Sequence, residues 1–307
     1  MTSTALSVTG LTKRYGRRVV VDRLDIELPS GVVAGFVGPN GAGKTTTMAM
    51  LLGLVRPSAG SGTVLGSSID EPAEYLPRVG AMIETPAFYP ALSGSENLRM
   101  FATVGAHDTA AIPHLLDLVG LDGRGSDQYR NYSMGMKQRL GIAAALLGDP
   151  DLLILDEPSN GLDPQGVREV RALIGSLAGT GRTVLVSSHD LSELEQVCDW
   201  LVLIDTGRSL YQGPTREFLD SAAGGLIVAP QHPDQLDALL DVLIGRGVRA
   251  QRHEKHLVVS TDDADTDELA ASVNRAAFAA DIVLVELSVQ RSTLEDRYLT
   301  LVQAGAQ

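Results

Sequence analysis

The chain holds one cysteine in 307 residues, Cys198, so no intrachain disulfide can form. Positive charge is also scarce. Lys and Arg number 25 against 38 Asp and Glu, giving a net charge of −13 and a pI near 4.8. That balance opposes broad electrostatic attraction to nucleic acid or to anionic lipid headgroups. No apolar run approaches the roughly 18 to 20 residues that a bilayer-spanning helix requires. The longest runs, around Leu140 to Leu147 and Ile282 to Leu287, fall well short of it. The chain does not open on a positively charged stretch followed by an apolar one, so no secretory signal is read and the cytoplasm is the expected compartment. A role at a membrane is therefore expected to work through a partner chain. Internal repeats and low-complexity tracts are lacking too. What is present is length and 44% hydrophobic residues, enough for one large α/β domain and a smaller second one.

Within the first of these lies Gly38-Pro39-Asn40-Gly41-Ala42-Gly43-Lys44-Thr45, a full G-x-x-x-x-G-K-[ST] loop. The apolar run Val32 to Val37 before it suits a buried strand, and Thr46 to Leu52 after it has helical composition. Glycines at 38, 41 and 43 free the backbone to turn successive N–H groups toward phosphate oxygens. Lys44 supplies a point charge for the β and γ phosphates, and the Thr45 hydroxyl is placed to ligate Mg²⁺. Farther along, Leu152 to Leu155 reads as a buried strand ending in Asp156-Glu157. Asp156 is expected to hold Mg²⁺ through a water, and Glu157 to polarise the water that attacks the γ-phosphorus. The two motifs together predict NTP hydrolysis.

Upstream of Asp156, Tyr132-Ser133-Met134-Gly135-Met136-Lys137-Gln138-Arg139 runs into an apolar helix, with Ser133 suited to cap its start and Gly135 leaving it open to close approach. This segment resembles the "LSGGQ" element of ABC-type ATPases, with Ser133 and Gly135 at matching positions and departures at Tyr132, Met134 and Met136. Other elements follow in the order of that family. Tyr15 matches the aromatic that stacks on adenine. Ser159 to Asp163 resembles the loop that crosses the dimer interface, and His189 matches the switch histidine near the γ-phosphate. The resemblance covers residues 5 to 215 and implies a P-loop NTPase domain (residues 1–221) with a helical subdomain. It further implies ATP and Mg²⁺ as ligands, with Pro39, Asn40, Ala42 and Thr46 contacting nucleotide beside the glycines. Catalysis would rest on Lys44, Glu157 and His189. Two copies would enclose ATP between Gly38 to Thr45 of one and Ser133 to Gly135 of the other, on the inner face of the cell membrane beneath a polytopic permease.

Glu84 stands where most ABC ATPases carry glutamine in the loop that senses Mg²⁺. An ionised carboxylate can ligate the metal but cannot donate a hydrogen bond. With the following Pro86-Ala87-Phe88-Tyr89-Pro90, it is similar to the bacitracin- and lantibiotic-resistance branch of ABC transporters, which implies efflux of a drug, antibiotic or peptide. The competing readings are a soluble ABC ATPase acting on nucleic acid or the ribosome, and a GTPase. The first would want a basic surface, coiled-coil or zinc insertions, or a second cassette. The second lacks an Asn-Lys-x-Asp element.

Breaks at Gly213-Pro214 and at Ala222 to Gly225 place a domain boundary near residue 222. Beyond it the pattern reads βαββαβ: strands near 226–228, 248–251, 256–261 and 282–289, and helices over 234–244 and 267–279. That is a small α+β ferredoxin-like arrangement, closed by a last helix from Thr293 and expected to be an accessory module over 222–307. His253-Glu254-Lys255-His256 lacks metal-site spacing and reads as a solvated turn.

Overall fold

The computed structural model describes residues 3–84, 87–220, 225–260, 266–290 and 293–305. The chain divides into two compact units, residues 1–215 and 216–304, a break that falls ahead of the one expected near 222. In the first unit, β1 (Thr4–Tyr15) and β2 (Arg18–Pro29) form a hairpin. Its two-residue turn is Gly16-Arg17, where Gly16 takes a φ of 58° that a residue without a Cβ adopts freely. β3 (Val33–Val37) is buried along its whole length and feeds the glycine loop, after which α1 (Lys44–Leu51) begins. That helix starts two residues before the Thr46 expected from composition, so Lys44 and Thr45 both belong to its first turn. β4 (Ala59–Val64) and β5 (Ser67–Ser68) complete an antiparallel sheet of order β2-β1-β4-β5. The short α2 (Pro72–Tyr75) sinks Tyr75 into the core, where its hydroxyl donates to Leu51 O at 2.8 Å.

Between β6 (Val79–Met82) and β7 (Leu152–Leu155) the chain makes a helical excursion through α3 (Gly94–Val104), α4 (Ile112–Leu118) and α5 (Met134–Ala145). A reciprocal cap starts α3: Ser93 Oγ accepts from Glu96 N at 3.2 Å and the Glu96 carboxylate accepts from Ser93 N at 2.7 Å. Asn97, fully buried one turn in, clamps the incoming loop. Its Oδ1 accepts from Tyr89 N at 2.8 Å, and its Nδ2 donates to Tyr89 O at 3.1 Å and Ser93 O at 2.9 Å. Phe88 packs edge-on to Phe101 (5.3 Å between centroids, 82°) and against Tyr129, so the loop is pinned by apolar contact as well.

The chain then runs through α6 (Pro164–Ala178), β8 (Thr183–Ser188), α7 (Leu191–Glu195), β9 (Trp200–Asp205) and β10 (Arg208–Pro214). The second sheet has the order β10-β9-β3-β8-β7-β6, parallel from β9 to β6 with β10 antiparallel at the edge. Its strands β3, β7 and β8 carry continuous buried runs because both faces are covered. Phe36, Met48, Leu51, Ile154, Leu185, Val202 and Ile204 build the core on one side. In such a sheet the carboxyl ends of the strands face the ligand crevice, and here β3, β8 and β7 are neighbours at that end.

α8 (Thr215–Asp220) begins at the break between the units. The second unit follows as β11 (Gly225–Pro230), α9 (Leu236–Ile244), β12 (Ala250–Arg252), β13 (Leu257–Ser260), α10 (Thr266–Ala279), β14 (Leu284–Gln290) and α11 (Leu294–Gly305). Its sheet is antiparallel, of order β12-β13-β11-β14, and covers a core of Leu226, Val228, Leu239, Leu243, Leu257, Val259 and Val273. His253 and His256 sit in the turn between β12 and β13, where His253 N donates to His256 O at 2.9 Å and the rings stack. Among the described residues no group of His, Cys, Asp and Glu is gathered as a metal site.

Candidate nucleotide site

The loop from β3 to α1 is held by close backbone approach. A Cβ added to Gly38 would lie 2.4 Å from Ile204 O, and one added to Gly43, whose φ is 102°, would lie 2.9 Å from Val20 O. Any side chain at these two positions would push the loop off its neighbours. Lys44 is buried to 6% exposure and its Nζ donates to Gly38 O at 2.7 Å and Pro39 O at 3.4 Å, and lies 3.2 Å from Glu157 Oε1. The next residue bridges two distant parts of the chain: Thr45 Oγ1 donates to Asp156 Oδ2 at 2.6 Å. An alcohol and a carboxylate side by side are hard oxygen donors, the set that fits Mg²⁺.

Asp156 and Glu157 leave the end of β7 in opposite roles. Asp156 is buried and doubly held, since Ser187 Oγ at the end of β8 donates to its Oδ1 at 2.5 Å and its own N–H reaches Met82 O on β6 at 2.8 Å. Glu157 turns outward with a φ of 48°, a left-handed conformation that costs a non-glycine residue about 1–3 kcal/mol. Its N–H donates to Ser187 Oγ at 2.9 Å, which anchors that turn. The carboxylate then lies between two groups, Lys44 Nζ on one oxygen and His189 Nδ1, which donates to Oε2 at 2.6 Å, on the other. Ser187 is the member that sequence reasoning missed. A serine at a strand end carries no signal by itself.

Two clefts meet at Glu157. One of about 280 Å³ is lined by Tyr15, Arg18, Val20, Pro39, Asn40, Gly41, Gly43, Lys44, Thr45, Thr46 and Glu157. It brings the expected adenine-stacking tyrosine, half exposed, to the same hollow as the phosphate loop; Gly38 and Ala42 support the loop from behind. The other, of about 140 Å³, lies among Ser159 to Leu162, Ser187 to Asp190 and Glu193. There the Ser192 hydroxyl, with the N–H groups of Glu193 and Ser192, holds the Asp190 carboxyl below its ordinary range, while burial raises Glu193 above its own. Asp163 is used locally, accepting from Gly166 N at 2.8 Å to cap α6.

Three expected residues stand apart from this cluster. Ser133 is exposed and caps α5, its Oγ accepting from Met136 N at 3.3 Å, and Gly135 lies beside Leu162; neither lines the cleft that holds Lys44. Tyr132, at one of the departures from the family pattern, is buried with its hydroxyl donating to Arg124 O at 2.8 Å, so it serves packing. Glu84 is exposed with a φ of 57° just past β6, and no hydrogen bond or ion pair joins it to Thr45 or Asp156 among the described residues.

Residues 21–160 match the family described as ABC transporter. The chain is 47% identical over 215 residues to the bacitracin transport ATP-binding protein BcrA of Bacillus licheniformis, covering 69% of this chain and 70% of that one. It is 35% identical over 311 residues to the uncharacterized ABC transporter ATP-binding protein YcbN of Bacillus subtilis, covering 98% of each, so that likeness runs through the second unit as well. A solved structure described as an ATP binding subunit of an ABC transporter superposes with a TM-score of 0.63 at 31% identity, covering 70% of this chain and 92% of that one. With the glycine loop, Lys44, Thr45, Asp156 and Glu157 assembled at one end of the parallel sheet, the chain belongs to the ATP-hydrolysing, ATP-binding subunits of ABC transporters.

Proposed function

We propose that this chain powers an exporter of an antibiotic, drug or peptide, working as a homodimer on the inner face of the membrane beneath a separate polytopic permease. Each of two ATP molecules is held by Gly38 to Thr46 and Tyr15 of one copy and by Ser133 and Gly135 of the other. The observation that carries the reading is the position of Ser133 and Gly135. They form the start of a 12-residue helix, with Ser133 exposed and Gly135 half-buried, away from the chain's own Lys44 cleft, so a second copy is what can bring such an N-terminus to a phosphate. The likeness to a bacitracin transport protein supports the cargo class.

In this mechanism Lys44 neutralises charge on the β and γ phosphates; Thr45 and Asp156 would hold Mg²⁺, which would supply charge stabilisation to the transferring phosphoryl group. Glu157 orients the attacking water. His189, hydrogen-bonded to Glu157 and lining the adjoining cleft, fixes that carboxylate, and we assign it to the γ-phosphate. ATP draws the dimer together because it binds the closed state more tightly than the open one, and hydrolysis releases it. We assign Glu84 to metal sensing and coupling to the permease. Residues 222–307 we read as a ferredoxin-like accessory module that stabilises the dimer or regulates it, a reading supported by the βαββαβ order and the antiparallel strand order. The test is purification of the tagged chain from detergent-solubilised membranes of its host. Recovery of a polytopic partner, with ATPase activity abolished by Glu157→Gln, is the expected result, and a purely cytosolic or ribosome-bound protein refutes it. Ending the chain after Asp220 should weaken dimerisation or change ATP turnover, and a truncated chain unchanged in both overturns the module's assignment.

A further inference from the structure

We propose that Arg18 is a further nucleotide-binding residue, reaching the α and β phosphates from the adenine end of the cleft. The inference rests on the site proposed for ATP and adds to it a residue that no motif marks. Arg18 opens β2 directly across from Tyr15, its register partner in the hairpin, and directly opposed residues project from the same face. Both side chains line the cleft that contains Pro39 to Thr46. The ligand thus meets an aromatic ring and a guanidinium side by side.

Three observations separate Arg18 from an ordinary surface arginine. No side-chain hydrogen bond or ion pair engages it among the described residues, so its guanidinium is available to a ligand; Arg78, Arg124, Arg139, Arg182 and Arg208 are paired with carboxylates, and Arg14 and Arg17, which also lack a side-chain partner there, do not line the cleft. Lys13, the other cation beside Tyr15, is already committed: its Nζ donates to Arg56 O at 2.6 Å and lies 5.0 Å from the Tyr15 ring centroid, and it does not line the cleft. And a planar guanidinium recognises phosphate oxygens in pairs, a geometry that Lys44, a point charge buried beneath the loop, does not offer. Lys44 and the helix start take the β and γ phosphates from below. Arg18, tethered to the adenine end by its place opposite Tyr15, takes the α and β phosphates that ATP and ADP share.

The test is calorimetric titration of the full chain with ATP, ADP and adenosine, comparing Arg18→Ala, Arg18→Lys and Arg17→Ala. Arg17 carries the same charge at the tip of the same hairpin but does not line the cleft, so it reports long-range attraction alone. Arg18→Ala should weaken ATP and ADP by a similar factor of about 5 to 20, as for loss of a charge-assisted contact at a partly exposed site. Adenosine should change less than about twofold and Arg18→Lys should recover part of the loss. Steady-state turnover should show a raised KM with kcat at saturating ATP within about twofold, the pattern of binding lost equally in ground and transition states. Unchanged nucleotide affinity in Arg18→Ala, an equal loss in Arg17→Ala, or a loss confined to ATP overturns the proposal. Lys44→Ala in the same titration keeps the two readings apart: if it leaves ATP binding intact, the site itself is misassigned whatever Arg18 does.

Discussion

Replacing Glu157 by glutamine separates catalysis from stability, because the structure assigns very different sizes to the two effects. The substitution keeps the shape and the left-handed backbone conformation, so the strain at that turn is unchanged. Lys44 retains Gly38 O and Pro39 O as acceptors and can still donate to the amide oxygen, and the Ser187 hydroxyl still receives the backbone N–H. What is lost is the charge part of the Lys44 pair, whose glutamate is 20% exposed, and the second oxygen, which accepts from His189 Nδ1 and becomes an NH2 group, a combined cost of about 1–2 kcal/mol. That corresponds to a melting temperature lower by about 2–8 °C. Loss of a positioned base, by contrast, slows turnover by about 100- to 10,000-fold, or about 3–5 kcal/mol of barrier. Phosphate release at saturating ATP and a thermal melt on the same preparation compare the two. Turnover within about threefold of wild type would refute Glu157 as the base. A collapse in melting temperature would show that the carboxylate is chiefly structural.

Two further outcomes follow from the packing and from the loop beyond β6. Asn97→Ala leaves Tyr89 N and O without their buried partners and should cost about 2–4 kcal/mol in chemical denaturation; a loss under about 1 kcal/mol contradicts the clamp. Glu84→Gln should change resistance or ATP turnover in membranes by about threefold or more, since an amide donates where a carboxylate only accepts. No change in either removes Glu84 from sensing and coupling.

The parts of the site that were legible in the sequence are those written contiguously. Gly38 to Thr45 and Asp156-Glu157 each follow an apolar strand, and each strand does end at the crevice. The second unit's element order was legible for a similar reason, because alternating apolar runs and turn residues recur over short spans. Contacts made across the fold were not. Nothing in a run of amino acids places Ser187 against Asp156, since that contact depends on sheet order, and even the local pairing of Arg18 with Tyr15 depends on where the hairpin turns. The Asn97 clamp was hidden for another reason: a buried asparagine on a helix has the same sequence appearance as an exposed one. Helix α1 began earlier than its composition indicated because Gly43, in the left-handed conformation, ends the loop and lets Lys44 enter the first turn. The break between the units fell at Thr215, where the Thr215 hydroxyl donates to Cys198 O and ties the end of β10 to the first unit.

The central claim, that Lys44 and Ser133 from different copies complete one site, is tested most directly by mixing two inactive variants. Lys44→Ala destroys the phosphate loop and Ser133→Arg blocks the facing helix start, so each homodimer should be nearly inactive. In an equal mixture, about half the dimers are mixed and each of those has one intact site, which predicts about a quarter of wild-type ATP turnover. Full activity in Ser133→Arg alone, or a mixture no more active than its two components, would contradict the shared site.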